Sequence, residues 1–224
     1  PQYDDAGEAI LIASSSDEQD ALMEDYVAAK PERLFSRLAQ EAAIRGHTLA
    51  AIASDYAHTE PGLMDFFGQT FYGYHYPLGN IKLILAGILS YLRREDMIHH
   101  EGDYIYATDF GRRVSELYID PLSAVVLRDG LNQDDISFTD ITWLHLICHT
   151  PDMRPKLRPR RGEMVAIENF LEEHRHELTV KLASDYDYVD YETTLGELRT
   201  TMILKAWIDE TSENDLFEKY RVSP

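Results

Sequence analysis

Two histidines four residues apart, His145 and His149, stand on one face of the run ITWLHLICHT. That spacing can hold zinc, and Cys148 lies beside them, one residue off in direction. No H-E-x-x-H accompanies them and no nearby third ligand is evident, so packed or capping histidines are the expectation. His99-His100 and the His174/His176 pair offer still less. Asp17-Glu18-Gln19-Asp20 has the look of an acidic nucleotide-hydrolysis box. It stands at a helix start with no G-x-x-x-x-G-K-[ST] before it, and none of the 12 glycines is followed by Lys. It reads as cap and solvated charge, and we expect no ATP hydrolysis, no metal site and no cofactor in this stretch of chain.

The positive charges are more informative. Arg154, Lys156, Arg158, Arg160 and Arg161 fall within eight residues that contain no acid, and the chain has only 21 Lys and Arg in all. Pro155 and Pro159 keep that stretch extended and non-helical, so the cations project along a strand-like path. Such a row matches the phosphates of a nucleic acid, with affinity that falls steeply as salt rises. A solvated loop, or one paired to acidic helices of the same chain, is the alternative. Arg112-Arg113 forms a second, smaller positive site that either touches phosphate or bridges to an acidic neighbour. Trp207 would suit base stacking, but Met202, Ile203, Leu204 and Ile208 around it favour a place in the core.

These cations stand out because the chain as a whole is acidic: 40 Asp and Glu give a formal net charge of −19 over 224 residues. A uniformly acidic surface repels phosphate, which excludes a generic nucleic-acid coat. The chain is long enough for one large domain or two small ones. A single cysteine excludes an internal disulfide and a zinc knuckle, and fits a reduced, cytoplasmic setting. No apolar run approaches the roughly 18 residues of a membrane span, so no membrane partner is expected. The first residue is Pro1, with no Met before it, and the sequence reads as an excised piece.

The elements that must position these residues are mostly helical. Gly7–Ala13 is a compact apolar run expected to be a buried strand. Ser15 and Glu18 have capping-box spacing for a helix from about Asp17 to Ala28. Residues 32–56 read as a helix, a break at Gly46 and a second helix. Glu60-Pro61 opens a third, and the aromatic cluster at 71–77 breaks it. A long helix over 78–96 precedes a turn at Glu101-Gly102-Asp103 and the β-type run Tyr104–Ala107. Thr108 caps a helix with Val114, Leu117 and Tyr118 on one face, and Asp120-Pro121 starts another. Later helices are expected from Thr139 to Pro151, over 163–176 and 191–209, and over 213–220. The fold class is therefore mainly α: a winged helix (helices plus a two-stranded wing) followed by a partial helical bundle. The helix before the wing, LGNIKLILAGILSYLRRED, offers Asn80, Lys82 and Arg93-Arg94 only at its ends. It suits packing rather than base reading.

The string YATDFGRRVSELYIDPLSAVVLRDGL resembles the junction after the winged helix in archaeal Ski-two-like superfamily 2 DNA helicases. PQYDDAGEAILIA, LHLICHTPDM, LKAWIDE and EKYRVSP extend the resemblance over essentially the whole chain. It implies a C-terminal fragment of an ATP-dependent 3′-to-5′ helicase associated with replication-fork repair. Residues 1–28 would be the remnant of the second RecA-like motor domain, 30–119 the winged helix and 120–224 the first helices of the ratchet domain. ATP and Mg would belong to motor domains elsewhere in the parent chain, which with single-stranded or forked DNA would be the partners. The family's catalytic residues have no positions here. RNA instead of DNA remains open, as do a free-standing winged-helix regulator and a protein-interaction module.

Overall fold

A computed structural model describes residues 7–30, 32–38, 40–133, 136, 138–180 and 188–222, with backbone alone at 188–190. The chain divides into two compact units, residues 1–36 and 37–224.

In the first unit Ser15 caps α1 (Ser16–Leu22), its side chain accepting from the Glu18 N–H, and α1 widens into a π turn over Met23–Ala28. The expected buried strand at Gly7–Ala13 is not formed, and Ile10 and Ile12 are 74% and 86% exposed. A strand needs neighbours to satisfy its backbone, and the sheet among the described residues is the two-stranded wing of the other unit.

The second unit opens with α2 (Glu41–Ala53), which runs straight through Gly46. One interior glycine costs roughly 1 kcal/mol, less than is gained by burying Ile44, Leu49 and Ile52 from the same helix. Residues 32–37 before it are not helical. Thr59 caps α3 (Glu60–Gly68), with Pro61 in the first turn. The aromatic cluster does not simply interrupt the chain: Thr70 caps a further short helix, α4 (Phe71–His75). Then come α5 (Gly79–Arg94) and the antiparallel wing, β1 (Ile98–Glu101) with β2 (Tyr104–Ala107), pairing Ile98 with Ala107 and Glu101 with Tyr104. Gly102 turns the wing at φ +63°, a conformation that favours glycine. Thr108 accepts from the Gly111 N–H and donates to the Asp96 carbonyl, fixing the start of α6 (Asp109–Glu116). Gly111 packs so closely on the wing that a Cβ there would lie 1.9 Å from the Met97 carbonyl oxygen. Leu63, Phe67, Ile81, Leu92, Met97, Ile98 and Ile105 fill the core between these elements. This is a winged helix.

Helix α6 ends earlier than its apolar pattern suggests. Tyr118 takes φ +57° and stands 96% exposed, with Leu117 also out in solvent. Asp120 then restarts the chain as cap of α7 (Pro121–Leu131), followed by α8 (Asp140–His149), α9 (Met164–His174) with a 3₁₀ turn at Arg175–Glu177, α10 (Tyr188–Ile208) and α11 (Glu213–Tyr220). α10 is the spine of this bundle and packs on α8, α9 and α11. Two ion pairs, one buried and one partly exposed, rivet α7 to the winged helix. Arg45 of α2 makes a two-pronged contact with Asp120, Nε–Oδ1 at 2.9 Å and Nη2–Oδ2 at 3.0 Å. Arg128 of α7 reaches the Glu95 carboxylate at 2.8 Å and its carbonyl at 3.0 Å.

Candidate nucleic-acid interface

Between α8 and α9 the chain has no regular structure from Met153 to Arg160, and all five cations of the sequence pattern fall on this connection. Its entry is pinned to the spine helix. Lys156 Nζ lies 2.5 Å from Glu197 Oε1 and 3.3 Å from the His149 carbonyl, and the Leu157 N–H donates to Thr200 Oγ1 at 3.0 Å. The exit is pinned as well: the Arg160 N–H donates to Glu163 at 2.8 Å, and its guanidinium donates to the Arg221 carbonyl at 3.1 Å. Glu163 is itself held by Arg199, at 2.7 and 3.0 Å.

The five cations consequently differ in what they have left to give. Lys156 is half-buried and neutralised by Glu197, so its charge serves the fold. Among the described residues the Arg154 guanidinium donates to the Pro151 carbonyl alone, whereas that of Arg160 donates to the Arg221 carbonyl and shares the field of Glu163; both are exposed. The side chains of Arg158 and Arg161 make no hydrogen bond or ion pair with any described residue, and both are exposed. Arg112 and Arg113 are placed elsewhere, on α6. Arg112 donates to the Ala53 carbonyl at 2.8 Å and closes the C-terminus of α2, while Arg113 pairs with Glu116 at the surface.

Beneath the loop sits a polar cluster that the sequence gives no sign of. Glu197 is 3% exposed within the apolar stretch Leu195–Leu198. Burial works to raise its carboxyl, yet the hydrogen bonds from His149, at 2.9 Å, and Lys156 outweigh that and hold it below the usual carboxylate range. His145 is 1% exposed, and neither ring nitrogen has a partner. Burial pushes its pKa down to about 4, partly offset by the charge of Glu197. The His145/His149 pair is thus one packed ring and one ion-pair partner. Among the described residues no group of three or more His, Cys, Asp or Glu side chains could hold a metal ion. The sequence has no Gly-Lys phosphate loop.

Trp207 is placed differently from expectation. It is 66% exposed, on the outer face of α10, where the helix turns its Ile203 side to the core formed with Leu216 and Tyr220. The apolar residues around it in sequence are shared between two faces, so counting neighbours misjudged its direction. On α5 the exposed positions include Asn80, Lys82, Leu83, Ala86, Gly87 and Ser90, with Arg93 and Arg94 at the C-terminal end. They form no row of base-reading side chains. No helix among the described residues is long and apolar enough to cross a membrane.

The chain combines a winged helix, a helical bundle joined to it by ion pairs, and a loop in which Arg158 and Arg161 make no bond to a described residue. Residues 141–224 match the family described as archaeal helicase, domain 4. Over its whole length the chain is 36% identical to an ATP-dependent DNA helicase Hel308 of Methanocella arvoryzae, 33% to that of Pyrococcus horikoshii and 32% to that of Caldivirga maquilingensis. It spans 30% of the first of these and 31% of the other two. The chain belongs to the archaeal Hel308-like DNA helicases and corresponds to a C-terminal part of such a protein.

Proposed function

We propose that this chain is an accessory, non-motor region of an ATP-dependent 3′-to-5′ DNA helicase acting in DNA repair. In this reading residues 1–28 close the second motor domain, residues 30–119 form the winged helix that supports the motor, and residues 120–224 begin the ratchet domain. ATP and Mg act in the motor domains of the parent chain. The loop from Arg154 to Arg161 lines the path of the single strand. One observation carries this: Arg158 and Arg161 have no partner among the described residues, on a loop fixed at both ends, in a chain whose acids outnumber its bases 40 to 21. Where carboxylates are in such excess, an arginine with no ion-pair partner among the described residues has an external anion as its natural partner. The smooth outer face of α5 favours packing over duplex reading.

Fluorescence anisotropy with a labelled single strand across a salt series tests this. Binding should weaken with salt, and changing Arg158, Arg160 and Arg161 together to Ala should flatten the plot of log affinity against log salt by about 2, at roughly 0.7 per phosphate contact on a single strand. Equal slopes for wild type and variant would place the strand elsewhere.

A further inference from the structure

Arg158 stands at the mouth of a cavity of about 480 Å³ between the loop and the first turns of α10. Its lining includes Pro159, Met164 and Tyr191, together with Leu195 and Gly196, both buried. Glu192 and Thr193 of α10 line it too, so Arg158 shares the cavity with one carboxylate. The volume falls within the range of small-molecule sites, as does the plan of apolar walls with a few polar groups at the rim. This opening is not an accident of a loose loop, because the Lys156–Glu197 and Leu157–Thr200 contacts hold residues 156 and 157 on α10 just where the cavity begins.

A cavity of this size, lined by an aromatic ring, apolar side chains and a guanidinium with no ion-pair partner among the described residues, fits a nucleotide: the base enters, and the adjoining phosphate meets the arginine. We infer that this cavity is a base-receiving subsite for single-stranded nucleic acid, in which one unpaired base packs between Pro159, Met164 and Tyr191 while its phosphate is held by Arg158. A base in a duplex reaches such a slot only by leaving its stack, so the subsite selects single strands without reading sequence. The inference rests on the loop's role as proposed above and adds what phosphate contacts alone do not give. The strand is held at one fixed nucleotide as well as along its backbone.

The test compares a labelled single strand with a strand of the same length and charge whose sugars carry no bases. At one salt concentration the natural strand should bind about 5- to 160-fold tighter, the range for one stacked base. Gly196 is well placed for a filling variant, because a Cβ there meets Leu157 O at 3.6 Å and Lys156 Cβ at 3.8 Å, ordinary contacts. Gly196→Leu should bring the natural strand down to the baseless strand's affinity while leaving the salt slope unchanged. Tyr191→Leu should do the same, and Tyr191→Phe should restore the preference. If natural and baseless strands bind equally, and both lose affinity when Arg158, Arg160 and Arg161 become Ala, the cavity is no subsite and the loop binds phosphate alone. If neither strand binds at low salt, the cavity and the loop reading fall together.

Discussion

The winged helix and the α8–α9 loop use the same residue type to opposite ends. In the winged helix and its junction, Arg45, Arg112 and Arg128 are spent on the architecture: Arg45 clamps Asp120, Arg112 closes α2 and Arg128 holds Glu95. In the loop, Lys156 is the cation whose side chain is ion-paired to a carboxylate among the described residues, while the arginine side chains either make no bond to a described residue or donate to carbonyls. The difference lies in the neighbours. Around Arg45 the chain supplies carboxylates on packed helices, where burial makes an ion pair nearly obligatory. Around Arg158 it supplies two prolines and, among the described residues, no carboxylate within ion-pair reach, although Glu192 lines the same cavity. Arginine content therefore does not mark a binding surface. What marks one is arginine that the fold has left without a carboxylate.

The sharpest way to break this contrast is to remove an arginine from each side. Arg45→Ala leaves Asp120 without its two-pronged partner at the joint, where the Asp120 side chain is only 11% exposed. Stability should fall by about 3 kcal/mol, measured by chemical denaturation. A loss below about 1 kcal/mol would mean the joint does not depend on this pair.

A second prediction probes the cluster under the loop. His145 is buried with Glu197, His149 and Lys156 as its charged surroundings, and its folded pKa is lowered from 6.5 to about 4. Between those values the unfolded chain takes up a proton here and the folded chain does not. Stability present above pH 6.5 is therefore lost progressively as pH falls towards 4, by up to about 3 kcal/mol. His145→Leu removes two unpartnered ring nitrogens and the titrating group together. It should be at least as stable as wild type at pH 7, and its advantage should widen as pH falls through that window. A constant difference from pH 7 to pH 4 would show that His145 is not kept neutral by the fold.

Much of the winged helix was legible because its signals are local. Thr59-Glu60-Pro61, Thr108 and Asp120-Pro121 each announce a helix start, and the structure places α3, α6 and α7 there. The misreadings came where local pattern and tertiary environment disagree. Gly46 has the look of a breaker, but the apolar face continues across it. Leu117 and Tyr118 continue the apolar stripe of α6 on paper, whereas the helix has already ended and Tyr118 is turned out by its positive φ. Gly7–Ala13 has strand composition without a strand beside it. The basic loop was visible as a charge anomaly, but which of its cations remain available was not. That depends on Glu197, which is 40 residues beyond Leu157 in sequence and offers no motif, being one acidic residue in a long helix.

The smallest effects separate the two kinds of cation inside the loop itself. Lys156→Met keeps the stem that packs on α10 and removes the charge, leaving the buried Glu197 carboxylate with His149 as its remaining ion-pair partner. A hydrogen bond to a buried charged group is worth about 2 kcal/mol, so thermal or chemical unfolding should register a loss of that order. Glu197 should also titrate nearer its ordinary range. The stability it lends is present above about pH 4.5 and lost as pH falls through its depressed value, so this loss should begin at higher pH in the variant. Arg158→Ala, two residues along, removes a side chain with no described partner and should change stability by less than about 0.5 kcal/mol, while single-strand affinity drops. If the two variants exchanged these signatures, with Arg158→Ala unfolding easily and Lys156→Met losing only affinity, the sorting of the loop into a structural lysine and free arginines would be wrong, and with it the reason to place a strand there.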